Sequence, residues 1–378
     1  MSLKILVAPD SFKDSLTSIE FCDIARKSIL SIKPYADVHC VPMADGGEGT
    51  IDVFRSQPAY EYKTVSVVGP TGEQIKAEYC VDKKTNTAII EMAQSSGLQL
   101  VPQKMRNPML TTSYGFGELI LDAMNSSINN IILFIGGSAT NDMGVGMLEA
   151  IGFIYYNNKN IKISGTVSNL NKIVTIDNSH IKDRLEEVSF TVGCDVLNPL
   201  LGPDGATYTY GKQKGANKNQ LDNLEQHIKK FSRLANQYNN IDFTNYDGAG
   251  AAGGVGFSAM SFLGAKFEPG FNIIEKIIGL KSKIKSNKYD LIITGEGCVD
   301  SQTKKGKLIN HLGTIGHDIS TPTIVFCGSM KGRPNLKGIK SIEKISPNNI
   351  DLSTAILKAP LFLERAIKKE IKKLSISF

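Results

Sequence analysis

Lys4-Ile5-Leu6-Val7-Ala8 is a short apolar run of the kind a buried strand uses, and Thr17-Ser18-Ile19-Glu20 follows as a capping box. Phe21, Ile24, Ala25, Ser28 and Ile32 then fall at helical spacing, so the pattern predicts strand, loop and helix in turn. Asp37 to Val41 repeats the strand pattern. A glycine-rich stretch, Asp45 to Gly49, leads into Ile51, Val53 and Phe54, which read as the start of a second helix. Near the other end Asp290 to Ile293, Thr323 to Phe326 and Ile339 to Ile345 are again short apolar runs between polar or glycine-bearing segments. Such alternation predicts a parallel α/β sheet. At the C-terminus Ile367, Ile371 and Leu374 form an apolar stripe, which leaves Lys368, Lys369, Lys372 and Lys373 on a solvated helix face.

Between about residues 59 and 283 the texture changes. Thr64 to Val68, Ile75 to Val81 and Thr87 to Met92 read as consecutive strands joined by turns such as Gly69-Pro70-Thr71-Gly72. Ile131 to Ile135 and Val188 to Val192 add further strands, so a mixed β/α domain at 59–283 is expected to interrupt a parallel-sheet domain made of 1–58 and 284–378.

Composition agrees with two domains: the chain has 378 residues, 41% of them apolar. No apolar run approaches the roughly 20 residues a membrane helix needs, and the chain enters its first strand without a signal-peptide pattern, so a soluble cytoplasmic protein is expected. Six cysteines stand far apart without CxxC spacing, which reads as reduced and mostly buried thiols. A formal charge of +6 with dispersed lysines favours anionic small molecules over nucleic acid.

Ligands of open parallel sheets bind beyond the carboxyl ends of the strands. Three polar segments follow such ends: Pro9 to Lys13, Pro42 to Thr50, and a loop expected at Thr294 to Ser301. Each carries carboxylates among small residues, a composition packing does not require. In the inserted domain Ile131 to Ile135 runs into Gly136-Gly137-Ser138-Ala139-Thr140-Asn141-Asp142 and then a helix. That arrangement reads equally as a phosphate cradle of bare amides or as a tight capped turn. Asp195 ends another strand and suits a base or a metal ligand, while Lys212 and Lys214, in a glycine-bounded loop, are expected at the surface. Gly248 to Gly253 spells GxGxxG, but no buried strand precedes it, which argues against a nicotinamide cofactor. P-loop, protein-kinase and GxSxG templates are absent, and the histidines show no metal spacing.

Taken together, Ala8 to Lys13, Pro42 to Thr50, Ser113-Tyr114-Gly115, Gly136 to Asp142, Cys194-Asp195, Gln213 to Ala216, Gly248 to Gly254, Thr294 to Gly297 and Asp300-Ser301-Gln302 resemble the two-domain, type 1 glycerate kinase family of bacteria. The resemblance runs almost end to end. It implies a Rossmann-like domain interrupted by a mixed β/α domain, a cleft between them, and phosphoryl transfer from ATP to D-glycerate, with 2-phosphoglycerate favoured over 3-phosphoglycerate. Four places depart from the family pattern: Asp14 and Met143 stand for glycine, Cys298 for arginine, and Leu308-Ile309-Asn310-His311 for a small, proline-bearing run.

Phosphoryl transfer needs donors for the phosphate oxygens, a metal, and a carboxylate at the attacking hydroxyl. Gly136, Gly137, Ser138 and Thr140, with Gly295 and Gly297, are assigned to ATP; Asp195 and Asp45, with Lys13, to catalysis; and Asp142, Asp195 and Asp300 to Mg²⁺. Asp10, Ser11, Lys13, Glu48, Lys214, Asp300 and Ser301 are assigned to the small-molecule substrate. The rival readings are a kinase of a related hydroxy acid, its pocket altered around Cys298 and Lys307, and a non-catalytic sensor that binds nucleotide or acid on the same fold. A homo-oligomer is compatible with the sequence; a nucleic-acid or membrane partner is not expected.

Overall fold

Thr17 caps the first helix as its sequence predicts. In a computed structural model of the chain, which describes residues 3–13, 15–55, 57–300, 303, 308–332 and 334–374, the Glu20 amide donates to Thr17 Oγ1 at 3.1 Å and the Thr17 amide to Glu20 Oε2 at 2.8 Å. The helix that starts there, Ser18–Ile32, buries Phe21, Cys22, Ala25 and Ile29 in a core shared with Ile5, Val7, Val38, Phe326, Leu363 and Ile367. Two of those residues come from the C-terminal helix Ala359–Leu374, whose lysines face outward as its stripe requires.

The chain divides into two compact units, Met1–Asp45 with Phe271–Phe378, and Gly46–Gly270. Patterning puts these junctions at 58/59 and 283/284, packing at 45/46 and 270/271. The stretch after Asp45 goes with the second unit because its Gly49 and Ile51 amides bond to Glu91 and Phe54 stacks on Tyr60. Phe271 stacks on His311 at 4.4 Å and so belongs to the first.

The first unit holds five strands in the order Ile339–Lys344, Thr323–Met330, Leu291–Val299, Lys4–Val7 and Asp37–Cys40. All neighbours are parallel. One expectation is corrected here: most of the supposed loop from Thr294 onward is strand. Thr294 pairs with Val325, Glu296 with Cys327 and Cys298 with Ser329, so the ladder continues to Val299. Gly295 serves that ladder, since a Cβ there would lie 2.6 Å from the Phe326 carbonyl oxygen and 2.8 Å from the Phe21 ring.

The second unit carries a six-stranded mixed sheet in the order Lys266–Glu268, Ser189–Gly193, Asn130–Phe134, Thr87–Glu91, Gln74–Asp82 and Tyr60–Val68. Its first four strands run parallel and its last two antiparallel. A small sheet of Lys162–Ile163, Ile154–Tyr156 and Thr175–Asp177 stands apart from it. The helix expected after Gly49 is a single 3₁₀ turn, Ile51–Phe54, because the chain reverses at once through the Gln57-to-Phe54 bond into the Tyr60 strand. The fold is therefore α/β, a parallel-sheet domain interrupted by a mixed β/α domain. No described helix is long and apolar enough to cross a membrane.

The Gly248–Gly254 run proves to be a packing device. Ala252, Gly253 and Gly254 have φ of 52°, 67° and 92°, and the turn they make wraps the 140–143 segment, where the Met143 amide donates to the Gly253 carbonyl at 3.1 Å. A Cβ on Gly253 would lie 2.6 Å from Asn141 Cα, whereas Gly264, with φ of 61°, has open space around its missing Cβ. Gly264→Ala should then cost only the left-handed penalty, about 1 kcal/mol. Gly253→Ala should add a clash and cost at least about 3 kcal/mol; denaturant midpoints of the two variants check the contrast.

Candidate active site

Glu91, Phe134 and Gly193 lie side by side at the carboxyl ends of three parallel strands of the second unit. The segments that follow the latter two, and the Gly46–Thr50 loop, meet at this edge. The Gly136 amide donates to the Gly46 carbonyl at 3.2 Å, and a Cβ on Gly136 would lie 2.7 Å from Gly47 Cα. A Cβ on Gly46 would lie 3.3 Å from the Gly193 carbonyl oxygen and 3.5 Å from Gly270 Cα. Backbone therefore packs on backbone. Around this junction Gly137, Glu48 and Asp195 are exposed, and Asp195 Oδ1 accepts from the Gly270 amide at 3.0 Å. Four sequence-predicted residues, Glu48, Gly136, Gly137 and Asp195, are thus gathered at one edge.

Beneath the glycine loop the side chains turn inward. Asp142 is fully buried: its Oδ2 accepts from the Ser113 amide and hydroxyl, both at 2.8 Å, and Oδ1 from the Gly144 amide at 3.0 Å. Burial raises its pKa and those bonds oppose the rise. The sequence assigns Asp142 to Mg²⁺; here the buried carboxyl ties Ser113 to the Gly144 turn.

Lys214 is the clearest departure from expectation. Lys212 is exposed, but Lys214 is only 3% exposed, with Nζ donating to Ser138 Oγ at 3.0 Å and to the Thr140 carbonyl. A tight turn causes this: the Lys214 and Ala216 amides both donate to the Gly211 carbonyl, which aims the intervening side chain into the unit. Burial pulls its pKa down to about 7, and Asp142 pulls it back up in part. Thr140 Oγ1 and both amide atoms of Asn141 are buried beside it without a hydrogen-bond partner.

The first unit gathers its own set. The Asp10 amide donates to the Gly295 carbonyl at 2.9 Å, and Asp10 Oδ1 accepts from the Ser11 amide at 2.7 Å. Lys13 is exposed, and its amide would lie 3.4 Å from a Cβ on Gly297. The Thr303 hydroxyl donates to the buried Glu296 at 2.7 Å and accepts from the Asp300 amide at 3.1 Å, which fixes the half-buried Asp300 at the strand end. Asp45 is exposed at the end of this unit's first segment. Ser301, Lys307 and Asp14 lie outside the described residues. Leu308 and Ile309 are buried at the start of the Leu308–Asp318 helix, so that departure from the family pattern fills a core.

Sequence reasoning missed Glu91, a fully buried carboxylate at a strand end. Its signal was a lone acid between Ile90 and Met92 in an apolar run, where an unpaired charge is costly. Among the described residues no three His, Cys, Asp or Glu side chains gather as a metal cage would require.

The fold is α/β, and comparison with known proteins gives its class, a phosphotransferase. The family model described as "Glycerate kinase family" matches residues 5–375. A glycerate kinase of Bacillus subtilis is 38% identical over 369 residues, 97% of this chain and 96% of its own length. Glycerate 2-kinase of Escherichia coli is 39% identical over 328 residues, 87% of this chain and 86% of its own. A crystal structure from Salmonella typhimurium LT2, assigned as glycerate kinase 2, superposes with a TM-score of 0.82 at 34% identity, covering 100% of this chain and 99% of that one. The chain belongs to the glycerate kinase family.

Two outcomes follow from this geometry. Gly137 has φ of 72°, so Gly137→Val should cost at least about 1 to 2 kcal/mol of stability and, while folded, should weaken binding of a non-hydrolysable ATP analogue at least tenfold by calorimetry, since the branched side chain would crowd the bare amide. The second concerns Lys214, whose folded pKa is depressed from 10.5 to about 7. Between those values the unfolded chain binds more protons, so this residue makes stability rise with pH. Thermal melts of wild type and Lys214→Met from pH 7 to 10 should show the difference moving steadily in favour of the wild type.

Proposed function

We propose that this enzyme transfers the γ-phosphoryl group of Mg²⁺-ATP to D-glycerate, giving ADP and 2-phosphoglycerate. The observation that carries the reading is the Gly136–Gly137 turn, exposed at Gly137 and packed on the Gly46–Glu48 backbone, with carboxylates of Glu48 and Asp195 on the adjoining loops. Bare amides at a strand end suit phosphate oxygens. The buried Lys214 holds Ser138 and Thr140 from below and so fixes the turn's shape. The choice of the 2-hydroxyl is supported by the relative from Escherichia coli whose name specifies it.

Asp195 acts at the attacking hydroxyl, as its proton acceptor or as the ligand of the ion beside it. It is exposed, and the Gly270 amide on Oδ1 restrains its swing. The other unit's Lys13, Asp10, Ser11, Asp45 and Asp300 carry the chemistry a hydroxy acid calls for: a cation, hydrogen-bonding groups and carboxylates. Lys13 suits a carboxylate or a transferring phosphoryl group, being a point charge on a long stem.

The donor chemistry at Asp195 fits magnesium, which takes oxygen ligands, keeps several waters and needs only one or two carboxylates beside substrate phosphates. Asp195 would hold it. Bound there, the ion would offset the charge of the triphosphate against the nearby carboxylates. A cage of three protein ligands is not required for this.

The reaction is checked by phosphorus NMR of a mixture of enzyme, Mg²⁺-ATP and D-glycerate, which should show ADP and a 2-phosphoglycerate resonance. Asp195→Asn should lower kcat by about 10²- to 10⁴-fold, the usual worth of a positioned base. Its affinity for an ATP analogue without magnesium should change little. Release of inorganic phosphate alone, or no ADP, would sink the kinase reading; faster turnover of another small hydroxy acid would redirect the substrate.

A further inference from the structure

Glu91 ends the Thr87–Glu91 strand with no solvent exposure, and both its oxygens are used on one loop. Oε1 accepts from the Gly49 amide at 2.9 Å and Oε2 from the Ile51 amide at 3.1 Å. These amides flank Thr50 in the loop that carries Glu48 and rests against Gly136. Inside the loop the Thr50 hydroxyl and amide donate to the Gly47 carbonyl, at 2.6 and 3.3 Å. A neutral acceptor would serve a merely structural turn at lower cost, because a carboxylate taken out of water must be compensated by strong donors.

We propose that Glu91 is a positioning residue for phosphoryl transfer: through the Gly49 and Ile51 amides it holds the Gly46–Thr50 loop in register with the Gly136–Gly137 turn. The inference rests on reading that turn as the phosphate cradle. Glu91 touches neither substrate nor cofactor in this role. It acts through the backbone whose carbonyl receives the Gly136 amide.

The ionisation of Glu91 gives this role a signature. Burial pushes its pKa up to about 8; the two amide bonds oppose that, and like charges on Asp52 and Glu48 add to it. Cys80, on the neighbouring strand, also feels it: burial pushes the Cys80 thiol up to about 12, and the Glu91 charge adds to the rise. Above about pH 8 both oxygens of Glu91 are acceptors only, and each amide has a full partner. Below it one oxygen carries a proton and one arm of the clamp weakens. Turnover should therefore rise through about pH 8.

Steady-state kinetics from pH 6 to 9.5, with circular dichroism and thermal melting as fold controls, test this on wild type and Glu91→Gln. Glutamine keeps the shape but points an NH₂ at one of the two N–H donors. The expected result is a folded variant with kcat at least tenfold lower above pH 8, KM values for ATP and D-glycerate within about threefold, and no limb near pH 8. A folded Glu91→Gln enzyme with wild-type kcat, or one that keeps the limb, would overturn the proposal. Should the variant not fold, wild type and Lys214→Met decide together: a limb near pH 8 that Lys214→Met retains supports the clamp, and a flat wild-type profile from 7 to 9, or a limb that Lys214→Met removes, overturns it. Wild-type enzyme that makes no ADP with glycerate would instead overturn the kinase reading, and this inference with it.

Discussion

Close approach of bare backbone at the carboxyl edge of a parallel sheet is the constraint on which the rest of the second unit depends. Gly46, Gly136 and Gly270 each stand where a β-carbon would meet, or be met by, another main chain, and Gly193 presents its carbonyl to the first of them. Such packing leaves amides and carbonyls at the surface that side chains would otherwise cover. It also removes the side chains that would hold the loops in place. Anchoring must then come from beneath, and it does, through groups that are ordinarily kept in water.

Those groups are Asp142, Lys214 and Glu91, all buried and all bonded to loop backbone or to loop hydroxyls. Burying a charged side chain costs several kcal/mol before its bonds are counted. Simple hydrophobic filling would be more stable at each place. What strongly polar groups add is direction: a carboxyl group bonded to two particular amides, or a lysine nitrogen bonded to a hydroxyl and a carbonyl, admits few alternative loop geometries. Under the proposed reading of this edge as the phosphate cradle, that restriction serves the reaction, since misplacement by about 1 Å can cost a hundredfold in rate. The shifted pKa values of these residues are consequences of the same arrangement.

Much of the fold was legible in the sequence because local rules decided it. The Thr17–Glu20 capping box, the Ile5 and Val38 strands and the amphipathic C-terminal helix each follow from a few adjacent residues. Where long-range pairing decides, the reading failed. Thr294 to Val299 looks like a loop by composition, yet it is strand because Thr323–Met330 pairs with it. Lys214 looks like a surface lysine, and only the turn that closes on the Gly211 carbonyl sends it inward. Of the candidate site, the position of the glycine loops and Asp195 at the sheet edge could be read from their place after strands. The inward roles of Asp142 and Glu91 could not, since a carboxylate in an apolar run shows that a partner exists without showing which amide it is.

Met143 shows how such a scaffold absorbs change. The resemblance noted from the sequence leads one to expect glycine there, and the residue keeps a glycine-like φ of 58° with its side chain fully buried. Left-handed backbone costs about 1 to 2 kcal/mol for a residue with a β-carbon, while burying a methionine side chain returns about 1.5 to 3 kcal/mol. The exchange is close to neutral, provided the sulfur has somewhere to go. That place is the space a β-carbon on Gly254 would fill. A side chain can replace one glycine in this turn because another glycine, across the contact, keeps its own position empty, so the two positions are coupled through a single shared volume.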